Sequence, residues 1–112
     1  MLSRKALAIA SLSTIVCSGA GHAADGFKAS EFLKFPQENQ KGYISASAMM
    51  AGLIATQNVP DQAKCIDRWV ADEATRGYPR IAEAMKAHGD YHPTAVIMSV
   101  LQKECGAFKY AR

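Results

Sequence analysis

The chain has 112 residues, with 13 Lys+Arg against 10 Asp+Glu for a formal charge of +3, three cysteines, 49 % hydrophobic and 8 % aromatic residues. Such a length and apolar share describe one small domain and exclude both a multidomain enzyme and a disordered tail. The positive excess has to be recounted, however, because the N-terminal residues read as a targeting segment.

Arg4 and Lys5 form a short basic region, residues 6–17 are apolar, and a run of mostly small residues ends on Ala23 and Ala24. This is the tripartite pattern of a secretory signal peptide, too short for a membrane span. Cleavage is expected after Ala23, with Ala24 almost as good. Removal of residues 1–23 from the 112 leaves a mature chain of 89 residues, 24–112. A lipoprotein variant anchored at Cys17 would want a small residue before that cysteine, and Thr14-Ile15-Val16 does not supply it. The expected location is the periplasm or the exterior.

Loss of Arg4 and Lys5 leaves 11 basic against 10 acidic residues, a charge of +1. Scattered Lys and Arg in that balance form no basic cluster, so no nucleic-acid partner is expected, and after signal cleavage no membrane partner either. Cys17 and His22 leave with the leader. The remaining pair, Cys65 and Cys105, reads as one disulfide in an exported chain.

The mature chain punctuates into helices, with no run that alternates like a strand. Ser30 is a candidate cap for a first turn through Glu31, Phe32 and Leu33, with Phe27 leading in, but Pro36 disfavours helical geometry at Phe35 and restarts the element. From Pro36 a first helix runs to about Gln57, its face carried by Tyr43, Ile44, Ala48, Ala51, Ile54 and Ala55. Gly42, Ser45, Ala46, Ser47 and Gly52 make it poor in bulk, which would let a neighbouring helix approach closely. Pro60 and Asp61 start a second helix that runs to about Arg76 and Gly77. Its inner face is Cys65, Ile66, Trp69 and Val70, with Asp67, Arg68, Asp72 and Glu73 outside. Tyr78-Pro79 opens a third helix with Ile81, Ala84, Met85 and His88 on one side, closed by Gly89. Pro93 opens a fourth, with Val96, Ile97, Val100, Leu101 and Cys105 inward and Gly106 as its C-terminal cap.

The fold class is therefore all-α, a small four-helix domain. A Cys65–Cys105 bond requires Cα atoms about 4.4 to 6.8 Å apart. A plain up-down arrangement would separate the start of the second helix from the end of the fourth by roughly 18 Å. The expected topology is therefore not up-down, with the second and fourth helices antiparallel. The bond closes a large share of the chain and is worth on the order of 4 kcal/mol, against a total stability of roughly 5 to 10 kcal/mol for so small a domain. Its role is structural, since a redox pair would show Cys-x-x-Cys spacing.

Little in the chain suggests catalysis. There is no nucleophile elbow, zinc-protease helix, phosphate loop or EF-hand loop. His88, Asp90 and His92 are the one group that invites a metal, but Gly89 and Pro93 interrupt the helix that would align them. They read instead as a polar turn whose imidazoles cap or face solvent, and no metal, cofactor or catalytic residue is assigned. Trp69 reads as core. Tyr78, Tyr91 and His92, in turns, are the candidate partner-binding residues.

Ser30-Glu31-Phe32-Leu33, Gln40-Lys41-Gly42-Tyr43-Ile44, Cys65, His92-Pro93-Thr94-Ala95-Val96, Leu101 and Cys105 follow one another in an order and spacing that resembles the Tai-like family. These are immunity proteins for type VI secretion amidase effectors, and the resemblance spans Ala29 to Gly106. It implies a non-catalytic periplasmic protein that binds a cell-wall amidase and occludes its active site, often as a homodimer. The family carries further cysteines near the first helix, where this chain has Phe35 and Gln40. The alternative is an acid-stress chaperone of the HdeA/HdeB type, similar in size, export and helical class. That family places a cysteine before an acidic-aromatic pair where this chain has Ala29-Ser30-Glu31-Phe32.

Overall fold

The computed structural model describes residues 26–109, and the expected signal peptide, with Cys17 and His22, lies outside them. Among the described residues every regular element is helical: α1 (Ala29–Phe32), α2 (Gln37–Asn58), α3 (Pro60–Ala74), α4 (Pro79–Ala87) and α5 (Pro93–Cys105). The fold class is all-α as expected, and the count is five because Pro36 splits the first turn from the long helix. Pro36 itself is the residue before α2, with ψ 146. The carbonyls left open at this break are satisfied by Gln40, whose Nε2 donates to Leu33 O at 3.1 Å and to Phe35 O at 2.8 Å.

The cap of α1 is Lys28 rather than Ser30, which lies within the helix. Glu31 determines this, because its Oε1 accepts from the Lys28 main-chain N–H at 3.2 Å and occupies a donor that the first turn leaves open. Proline at the first position of α3, α4 and α5 follows the expected pattern, since the N–H it lacks would have no partner within the helix. Gly106, with φ +96, follows α5 as its cap.

The core joins Phe32 of α1, Ile44, Ala48, Ala51 and Ala55 of α2, Ile66 of α3, Ile81 and Met85 of α4, and Val96, Ile97 and Leu101 of α5. The largest helix–helix contact is between α2 and α3. The buried positions of α2 are Ile44, Ala48, Ala51, Gly52 and Ala55, and a methyl group built on Gly52 would sit 3.7 Å from both Ile66 and Asp67. The helices are close, but not so close that only glycine fits. Cys65 and Cys105 are bonded, with Cα atoms 5.7 Å apart, fixing the first half of α3 to the last residue of α5. Buried Gln62 reinforces that junction by donating from Nε2 to Gly106 O at 2.7 Å and to Ala107 O at 3.1 Å.

Three expectations about helix faces fail, the first at Ile54, which is 49 % exposed on the far side of α2 from Ala48, Ala51 and Ala55. Glu73 is 1 % exposed instead of lying on the solvent face. Its carboxylate is held by Arg76, Nη2 to Oε2 at 2.7 Å, and Arg76 also reaches Asp72 at 2.6 Å. Glu73 thus enters the core as half of a pair, leaving Oε1 and the nearby Trp69 Nε1 buried without a hydrogen-bond partner. His88 fails in the opposite sense, because α4 ends at Ala87 and the imidazole lies exposed beyond it.

Candidate functional site

Of the three aromatic residues assigned to a partner surface, Tyr78 does not belong there. It is fully buried, and its hydroxyl lies 2.7 Å from Ser45 Oγ on α2. The reason is local. Proline at 79 disfavours right-handed helical geometry at residue 78, and Gly77, with φ +81, reverses the chain after α3. Tyr78 then takes φ 57 and ψ 54, a left-handed conformation that only a few per cent of non-glycine residues adopt. Its N–H donates to Glu73 O at 3.0 Å. Its ring is inside the core, 6.2 Å from that of Trp69.

His92 is half-buried. Its Nδ1 accepts from the Thr94 main-chain N–H at 3.1 Å, which makes it the N-cap of α5, the capping role open to these imidazoles in the sequence. The ring packs edge-on against Phe27 at 5.7 Å. Phe27, Phe32, Phe35 and Tyr43 complete this cluster, and the Tyr43 hydroxyl lies 2.7 Å from Thr94 Oγ1. His92 therefore positions the start of α5 more than it faces outward.

Tyr91 does face outward, at 41 % exposure. The turn that carries it is fixed from behind by α1: Ala29 N–H donates to Tyr91 O at 2.7 Å and Ser30 N–H to Gly89 O at 3.0 Å. These are the donors at the start of α1, which a helix this short cannot satisfy internally. The approach at Gly89 is close, since a methyl group there would touch Ser30 Cβ at 3.4 Å. His88 stands edge-on to the Tyr91 ring at 5.5 Å. Among the described residues no three His, Cys, Asp or Glu side chains converge as a metal site.

Tyr91 and His88 form one end of a groove of about 810 Å³ between α4 and α5. Its floor is made of small or branched apolar residues, Ala84, Ala87, Ala95, Val96 and Val100. The other end is charged, with Arg80 Nη1 bonded to Glu104 Oε1 at 2.7 Å and with Glu83 and Lys103 beside them. An apolar floor with an aromatic and imidazole rim at one end and paired charges at the other suits an inserted peptide segment or loop. Sequence reasoning placed Tyr91 in an exposed turn, where it is found, but missed the groove, which depends on how α4 and α5 cross.

No family model, curated protein or solved structure shows a significant match to this chain.

Proposed function

We propose that this chain is an exported, non-catalytic binding protein that works like the Tai-like immunity proteins it resembles, by occluding the active site of a secreted cell-wall amidase. The observation that carries the reading is the 88–92 turn. It projects Tyr91 beside an apolar groove while its backbone is bonded to α1, so a partner meets a surface already ordered. Preorganisation of this kind lowers the entropic cost of association. The leader places the protein in the periplasm, and in this reading the antiparallel course of α3 and α5, secured by the Cys65–Cys105 bond, is the frame on which α4 and the turn are mounted.

The test is a titration of the protein into a cell-wall amidase encoded beside it, reading peptidoglycan hydrolysis. Stoichiometric inhibition supports immunity. Full activity at saturating protein rejects it.

A second reading, a chaperone of the HdeA/HdeB type, draws on the exposed Met49, Met50, Leu53 and Ile54 of α2, which are apolar surface of the kind a client chain could contact. It is distinguished by suppression of client aggregation in acid together with increased binding of a hydrophobic dye. An immunity protein need show neither.

A further inference from the structure

The outward face of α2 is a different surface from the groove, which no residue of that helix lines. Met49, Met50, Leu53 and Ile54 are 69, 59, 62 and 49 % exposed and fall at i, i+1, i+4 and i+5, so they share one side of the helix. Two of these four large apolar side chains are thioethers. The other methionines of the described residues sit inward: Met85 is 0 % exposed in the core, and Met98 is partly buried against it. We propose that Met49 and Met50 form a paired, reversible oxidation site, at which a two-electron oxidant of the peroxide class turns this face from apolar to polar while the fold stays intact.

The chemistry of the chain leads an oxidant here. Cys65 and Cys105 are bonded to each other, so among the described residues no thiol remains to react first. The polarizable thioethers are then the soft nucleophiles within reach. A methionine sulfur attacks one oxygen of hydrogen peroxide. The S–O bond forms as the O–O bond breaks, sulfur gives up two electrons, and the departing hydroxide takes the proton of the transferred oxygen to become water. The return step belongs to sulfoxide reductases that work from a dithiol: two thiols become a disulfide, and the sulfoxide oxygen leaves as water. Each sulfoxide epimer has its own reductase, so full recovery takes both.

Burial sets the order and the outcome. At the exposures of Met49 and Met50 each new oxygen meets water, and α2 keeps its buried Ile44, Ala48, Ala51 and Ala55 in the core. At Met85 the same oxygen would be a buried polar group, and oxidant reaches that sulfur only when the domain opens. Oxidation is therefore directed to the outer face, where it converts half of the large apolar side chains.

Graded hydrogen peroxide tests this on native protein purified from an oxidising compartment with its disulfide intact. After quenching, unfolding and digestion with trypsin, the methionines fall on separate peptides: residues 42–64 carry Met49 and Met50, residues 81–86 carry Met85 and residues 87–103 carry Met98. Peptide 42–64 is expected to gain one oxygen and then a second, at least roughly tenfold faster than peptide 81–86. At the two-oxygen stage far-UV circular dichroism should be unchanged and retention on a native hydrophobic column should shorten. Treatment with both sulfoxide reductases and a dithiol should restore mass and retention. The double variant Met49→Leu with Met50→Leu keeps the face apolar and should show no oxidant-dependent change in retention. Met85 or Met98 oxidising as fast as the outer pair, helix lost at the two-oxygen stage, sulfoxides that the reductases leave in place, or a double variant that shifts as the wild type does would each overturn the proposal.

Discussion

At the two ends of α5 the chain is held to its neighbours by different means. Where the helix finishes, a covalent bond joins Cys105 to Cys65, and Gln62 seals the junction by donating to two carbonyls. Where it begins, no covalent bond exists; two main-chain hydrogen bonds tie the 88–92 turn to α1, and Phe27, Phe32, Phe35, Tyr43 and His92 fill the space between. The difference shows how a small domain is stabilised. The bond acts mainly by limiting the unfolded chain, whereas the ring cluster acts through burial in the folded one. The surface assigned to a partner lies at the ring-cluster end, where order depends on hydrogen bonds and packing without a cross-link.

The sharpest way to break the comparison is at Phe32, which is 0 % exposed at the centre of the ring cluster. Phe32→Ala should cost about 3 to 5 kcal/mol in chemical denaturation, because a phenyl ring is removed from a site with little room to collapse. Removing the disulfide as Cys65→Ala with Cys105→Ala should cost about 2 to 4 kcal/mol, read in the same way. The thirteen residues of α5 separate the two sites, about 20 Å along the helix, so the two losses should add to within about 0.5 kcal/mol. A larger coupling would mean that the two ends are not independent.

Two smaller changes sharpen the account elsewhere. Tyr78→Phe keeps the buried ring but leaves Ser45 Oγ without its partner 2.7 Å away, and should cost about 1 kcal/mol by thermal unfolding. Gly42→Ala lies in a helix where an added methyl group meets nothing within 4 Å, and should stabilise by about 0.5 to 1 kcal/mol. If Gly42→Ala instead destabilises, helix propensity is not what limits α2.

The helices were legible in the sequence because proline, glycine and apolar spacing act locally. Pro36, Pro60, Pro79 and Pro93 each stand at the start of a helix, and Cys65 and Cys105 form the bond expected of them. The misread positions are those decided by side-chain contacts, near or far in sequence, that residue type alone does not announce. Tyr78 occupies a turn, which suggests exposure, but its left-handed backbone directs the ring to Ser45, 33 residues earlier. Glu73 carries a charge, which suggests solvent, but Arg76 accompanies it inward. Lys28 displaced Ser30 as the cap because a side chain three residues ahead reached back to it. Of the candidate site, Tyr91 could be read from its turn, whereas the groove beside it required the placement of α4 against α5.

The most direct measurement is the dissociation constant for the proposed partner class, a secreted cell-wall amidase, by calorimetry, for the wild type and for Tyr91→Ala. The substitution leaves the turn's bonds in place, since they use the main-chain oxygens of residues 89 and 91. Tight binding by the wild type and a loss of roughly thirtyfold or more in the variant, at unchanged Tm, is the predicted result for an aromatic anchor. No binding by the wild type, or equal binding by the two proteins, would contradict it.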